Sequence, residues 1–223
     1  MELFLDTADL TSIRDLCEFL PVDGVTTNPT ILSKMGQEPF EFFSRLAEVL
    51  QPEQKIIAQV IASDVEGMIA DAHRIASVRG GKNVVVKIPV SHAGMRAIRI
   101  AKAEGLSVLA TGIYSADQAF LAAKAGADYL APYVNRMCAY GDGVAEVAEL
   151  VNTLRVQGYP AKVCAASFKN ANQVHKLIAA GIPSVTIPPA VALEMIDHLG
   201  TDAAIAQFGV DWRNAYGRDT LEG

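Results

Sequence analysis

Short β-rich runs alternate with longer helical patterns eight times along the chain, and this alternation constrains the fold more than any other feature. The runs are Leu3-Phe4-Leu5, Gly24-Val25-Thr26-Thr27, Ile56-Ile57-Ala58-Gln59-Val60 and Val84-Val85-Val86-Lys87-Ile88. They continue with Ser107 to Thr111, Tyr129 to Tyr133, Lys162 to Ala166 and Ser184 to Ile187. Amphipathic stretches lie between them, such as Asp64 to Val78, Ala93 to Glu104, Ser115 to Ala125 and Gly143 to Val156. Ser63 or Asp64, Ser91, Ser115 and Asn170 stand where helix N-caps belong, and Gly105, Gly126, Gly158 and Gly181 where helices stop. Strands alternating with helices imply a parallel sheet covered on its faces. Eight such units predict an α/β fold closed as a (β/α)8 TIM barrel, although 223 residues is short for it. An open doubly wound sheet is the runner-up, but no Gly-x-Gly-x-x-Gly follows an early strand.

With no linker or break in composition, residues 1–223 are expected to form a single domain. Beyond the eighth run the pattern predicts two helices, about 190–198 and 202–216, and a barrel needs only one. The extra C-terminal helix carries Phe208, Trp212 and Tyr216. It could bury them on a neighbouring subunit or on its own barrel. Leu221, Glu222 and Gly223 show no periodicity and are assigned no function.

Composition removes several classes of function. A net charge of −6 with no Lys/Arg cluster argues against a nucleic-acid partner. No apolar run is long enough to span a membrane, and the N-terminus has no signal-peptide pattern. Cys17, Cys138 and Cys164 are odd in number and widely spaced, which points to free thiols in a reducing, cytoplasmic setting. His73, His92, His175 and His198 are scattered, so no metal site is expected.

In a barrel, chemistry belongs at the C-terminal ends of the strands. Those positions here hold Asp6, Asn28, Gln59, Lys87, Thr111, Tyr133 and Ser167, while the eighth strand runs into the silent pair Pro188-Pro189. Lys87 stands out, because an ammonium on a strand buried on both faces is costly. The free amine is the nucleophile that forms a Schiff base with a carbonyl. It could instead snorkel to solvent or pair with a carboxylate. The others have plainer alternatives too. Asp6 could cap a helix near Ala8, Asn28 could start a turn, and Ser167 could cap the helix near Asn170. Thr111 could belong to a loop and Tyr133 to the core. Arg136, just past the sixth strand, suits an anion such as phosphate, with a surface salt bridge as the competing role.

Four strings now stand in order: Leu5-Asp6-Thr7-Ala8, Gly24-Val25-Thr26-Thr27-Asn28-Pro29-Thr30, Val86-Lys87-Ile88-Pro89 and Ala165-Ala166-Ser167-Phe168. Together they resemble the small-subunit transaldolase family, which includes bacterial fructose-6-phosphate aldolase, from Met1 to about Gly217. The resemblance implies a (β/α)8 barrel of the Schiff-base class with no metal or cofactor. It also implies a pentamer or decamer in which the C-terminal helix reaches a neighbour. By position, it makes Lys87 the Schiff-base lysine. It gives Asp6, Asn28, Thr111 and Ser167 the substrate hydroxyls or the catalytic water, and Arg136 with Ser167 the phosphate.

Transaldolases of this kind tend to have Glu in place of Gln59 and Phe in place of Tyr133. The resemblance therefore favours an aldolase that reversibly cleaves fructose 6-phosphate to dihydroxyacetone and glyceraldehyde 3-phosphate. Tyr133 would pass a proton directly or through a water held by Gln59 and Thr111. Asp6 would accept a hydroxyl proton or merely orient the hydroxyl. A transaldolase moving the same three-carbon unit is the alternative, and a non-catalytic sugar-phosphate binding barrel is a remote one. The expected partners are a sugar phosphate, or a hydroxyketone plus an aldehyde.

Overall fold

A computed structural model describes residues 1–222; Gly223, one of the three terminal residues assigned no function, lies outside them. The strands are β1 (Glu2–Asp6), β2 (Gly24–Thr26), β3 (Lys55–Gln59), β4 (Val84–Pro89), β5 (Val108–Ile113), β6 (Tyr129–Pro132), β7 (Lys162–Ala165) and β8 (Ser184–Ile187). They pair in parallel in sequence order, and β8 returns to β1, so the sheet closes on itself. This is the predicted (β/α)8 barrel, and every strand lies within one or two residues of its run in the sequence.

Helices wrap the outside: α1 (Leu10–Phe19), α2 (Pro29–Met35), α3 (Pro39–Val49), α4 (Val65–Ala76), α5 (His92–Ala103) and α6 (Ala116–Lys124). They continue with α7 (Val134–Met137), α8 (Gly143–Val156), α9 (Ala171–Ala179), α10 (Pro189–Ile196) and α11 (Leu199–Tyr216). Asp64, Ser91, Ser115 and Asn170 each accept the backbone N–H three residues on, as N-caps do, which satisfies one orphan donor at each helix start.

Side-chain alternation splits the core in two. Leu5, Val25, Ile56, Ala58, Val86, Ile88 and Ala110 face outward and meet the helices. Phe4, Ile57, Val85, Leu109, Tyr129, Ala131, Cys164 and Ala166 face inward and fill the barrel. Two residues further along β1, β3, β4 and β5, and just past the end of β6, the polar groups Asp6, Gln59, Lys87, Thr111 and Tyr133 come on the same inward face. The apolar layer is thus the floor on which the polar layer stands.

The opposite, N-terminal end carries polar groups of its own. Glu2 pairs there with Lys55 at 2.9 Å and Lys162 at 3.3 Å, and accepts the Tyr129 hydroxyl at 3.1 Å. Tyr129 also meets Phe4 edge-on, its ring centroid 6.3 Å away. These groups satisfy one another and close the barrel below. At the other extreme, no side chain of α11 is buried; Leu199, Ile205, Phe208 and Tyr216 are all exposed. No helix among the described residues is long and apolar enough to cross a membrane.

Candidate active site

At the C-terminal end of the barrel, Asp6, Asn28, Gln59, Lys87, Tyr133, Arg136 and Ser167 line one cavity of about 360 Å³. Thr111 stands behind it, and its hydroxyl lies 3.0 Å from the phenol oxygen of Tyr133. All eight candidate residues therefore converge on one place. Pro29, Thr30 and Ile31 from the start of α2, and Ala166 just past β7, complete the lining.

Lys87 lies on β4 at 3% exposure, so the snorkelling alternative does not hold. Its amine donates to the carbonyl of Thr27 at 3.4 Å, and no ion pair among the described residues includes it. Strand β3 places Gln59 directly beside it in register. The carbonyl oxygen of Gln59 is buried without a hydrogen-bond partner. A buried acceptor of this kind costs about 1–3 kcal/mol until a donor reaches it, so it marks where a hydroxyl or water would bind. Close packing holds β4 in place: a methyl on Gly94 of α5 would fall 1.7 Å from the Pro89 carbonyl oxygen, so only glycine fits.

Thr111 is buried in β5 rather than placed in a loop. The β5–β6 register shifts between Ala110 and Ile113, and Gly112 has φ 68°. Such bulges re-aim a side chain at a barrel rim. Tyr133 is half-buried beside the pocket, unlike the core residue Tyr129. The Arg136 guanidinium stacks over the Tyr133 ring at 4.9 Å. Its Nη1 donates to the Tyr114 hydroxyl at 2.8 Å, so the salt-bridge alternative is replaced by a phenol. That hydrogen bond is the main cause holding Arg136 above its ordinary pKa. Tyr114 was not among the candidates read from sequence.

Asp6 does not cap α1; Asp9 does. Instead Asp6 Oδ1 accepts the Thr26 hydroxyl at 2.8 Å, and Thr26 Oγ1 lies 2.6 Å from Thr186 Oγ1. Because Thr26 gives its proton to Asp6, Thr186 is left to donate to Thr26. Strand β8, silent at its Pro188-Pro189 end, thus contributes Thr186 from within; the signal was the alternation of polar Ser184 and Thr186 with apolar Val185 and Ile187. Asn28 fills two roles at once, capping α2 through Ile31 N–H at 3.0 Å while lining the pocket. Ser167 does not cap α9. Its backbone sits at φ 61°, rare for a residue with a side chain, and such strain concentrates at functional sites. Lys169 is exposed and outside the lining.

Three cysteines are free, and Cys164 lies wholly buried beneath the pocket, where burial pushes its thiol up to about 12. Among the described residues no group of three or more His, Cys, Asp or Glu side chains is gathered as a metal would require. The arrangement offers a desolvated amine, a free buried acceptor, a carboxylate and a hydroxyl-linked phenol around one cavity. Those are the parts for carbonyl addition and proton transfer.

Residues 3–218 match the Transaldolase/Fructose-6-phosphate aldolase family. The chain belongs to that family. It is accordingly an enzyme of the transaldolase and aldolase type. Solved structures share the fold at low identity. One is a cube-shaped, highly porous protein cage designed by fusing symmetric oligomeric domains, with TM-score 0.60 and 15% identity over 97% of this chain and 78% of that one. A thiamine phosphate pyrophosphorylase from Pyrococcus furiosus has TM-score 0.59 and 17% identity over 83% and 85%. A native KDPGal structure has TM-score 0.55 and 17% identity over 83% and 82%.

Proposed function

We propose that the protein is a Schiff-base aldolase that reversibly cleaves fructose 6-phosphate to dihydroxyacetone and glyceraldehyde 3-phosphate. The observation that carries this reading is the buried Lys87 amine on the pocket floor, bonded to a carbonyl and in no ion pair among the described residues. The amine adds to the ketone carbon, C2, and loss of water leaves an iminium ion. The C3–C4 bond then breaks, its electrons flow to the iminium, and the C4 hydroxyl proton passes to Asp6. Glyceraldehyde 3-phosphate departs, held until then by Arg136 and Ser167. Tyr133 protonates C3 of the remaining enamine, and water releases dihydroxyacetone and restores Lys87.

Cleavage rather than transfer is favoured by the phenol of Tyr133, which lies within hydrogen-bond reach of Thr111. A phenylalanine there could not protonate the enamine, which would then wait for an acceptor aldehyde. The orphan oxygen of Gln59 suits the water that hydrolysis requires. Fructose 6-phosphate should yield equal glyceraldehyde 3-phosphate and free dihydroxyacetone without any acceptor. Release only when erythrose 4-phosphate is present, with sedoheptulose 7-phosphate formed, would make it a transaldolase.

The exposed apolar side chains of α11 support docking on a neighbouring subunit of a pentamer or decamer. Phe208→Asp should then shift sedimentation toward smaller species, and an unchanged distribution would remove α11 from the interface.

A further inference from the structure

Tyr114 follows β5 directly, where Gly112 at φ 68° turns the chain toward α6. Its backbone N–H donates to Gln118 Oε1 at 2.8 Å, which fixes this residue at the helix entrance. From there the side chain touches two groups of the site. The ring meets that of Tyr133 edge-on, centroids 5.6 Å apart with 65° between planes. The hydroxyl accepts Arg136 Nη1 at 2.8 Å. Arg136 in turn stacks over Tyr133 at 4.9 Å, so the three side chains close a triangle.

Arginine is long and flexible, and this one is exposed on the four-residue α7, which gives it little support of its own. Tyr114 supplies that support. It commits one of the five guanidinium N–H groups and leaves the rest of the fork to meet an anion at the pocket rim. Tyr114 itself does not line the cavity, so its hydroxyl acts through Arg136.

We propose that Tyr114 is the positioning residue that sets the preference for phosphorylated over unphosphorylated aldehydes, by locking Arg136 in its anion-meeting orientation. This rests on the aldolase reading above. In the synthesis direction, with dihydroxyacetone as donor, Tyr114→Phe keeps the ring contact and loses only the acceptor for Arg136. The Michaelis constant for glyceraldehyde 3-phosphate should rise about tenfold, the scale of a hydrogen bond to a charged group. The kcat should hold, and both constants for unphosphorylated glyceraldehyde should stay within about twofold of the parent, a small fraction of a hydrogen bond's worth. Unchanged constants for both aldehydes, or equal losses for both, would overturn the proposal. If the parent enzyme turns over neither aldehyde, the aldolase reading fails by itself. Calorimetric titration with inorganic phosphate then still decides the role of Tyr114: weaker binding by Tyr114→Phe supports it, and equal or absent binding in both proteins overturns it.

Discussion

The hydroxyl of Thr111 and the phenol of Tyr133 lie 3.0 Å apart, joining the bulged end of β5 to the end of β6. The phenol is thereby aimed by a buried partner, which a proton donor needs if it is to meet one carbon of a bound enamine. Tyr133→Phe should lower aldol cleavage by about 10²- to 10⁴-fold, the usual contribution of a positioned acid. The Schiff base on Lys87 should still form. Combined with Gln59→Glu, the change should raise transfer to erythrose 4-phosphate; coupled assays of both products would show whether it does.

Lys87→Met replaces the amine with an unbranched side chain of similar length that suits the buried site. Turnover should fall by at least about 10⁴-fold, as when an enzyme loses its nucleophile. Borohydride with fructose 6-phosphate should add mass to the parent protein and none to the variant. A thermal midpoint no lower than the parent's would show that the loss is chemical. A trapped adduct on the variant would put the nucleophile elsewhere.

Thr26 stands between Asp6 and Thr186 in a chain of hydroxyls inside the barrel. Thr26→Val would leave Asp6 Oδ1 without its donor, at a cost of about 1–3 kcal/mol, measurable by urea unfolding. Thr186→Val removes a donor but leaves Thr26 bonded to Asp6, so it should cost less. Equal losses from the two would mean that the hydroxyl order is not the one derived.

Glu2 gives the N-terminal end an acid-sensitive clasp. Burial works against its ionisation. The hydrogen bond and charge of Lys55, the charge of Lys162 and the Tyr129 hydroxyl outweigh that burial and hold its pKa below the ordinary 4.5. A carboxylate depressed in the folded state stabilises the protein fully above the unfolded value. That contribution disappears as pH falls through the lowered one. Glu2→Gln should therefore flatten the decline in unfolding free energy below about pH 4.5. Tyr129, raised above its ordinary 10.0 first by burial and then by Glu2, has the opposite sense. Its share of the stability is present below about pH 10 and fades as the medium becomes more alkaline. Denaturant titrations across pH would reveal both limbs.

Much of this was legible from residue order. Parallel strands buried on both faces write themselves as runs such as Val84 to Ile88, and helix caps such as Ser91 and Asn170 act within three residues of chain. Both depend on local forces, so eight units could be counted and their polar ends read off. Lys87 and Gln59 stood out because each is a polar group in an apolar run, whereas Tyr133 could equally have been a core aromatic. For Asn28 the sequence offered a turn start or a site residue; the structure makes it both a pocket residue and the cap of α2, because its side-chain oxygen reaches Ile31 N–H while the residue still lines the cavity.

Closure of the barrel decided the rest. Thr186 and Asp6 are 180 positions apart, and both touch Thr26 only because β8 returns to lie beside β1. Tyr114, Tyr133 and Arg136 form their triangle because β5 and β6 are neighbours whose loops lean together. Glu2 looks like an ordinary surface acid until Lys55, Lys162 and Tyr129 arrive from three other strands. Periodicity and propensity act over a few residues and specify the units. Which polar atoms end within 3 Å of one another depends on strand register and side-chain direction around a closed ring, and those exist only once the chain is folded.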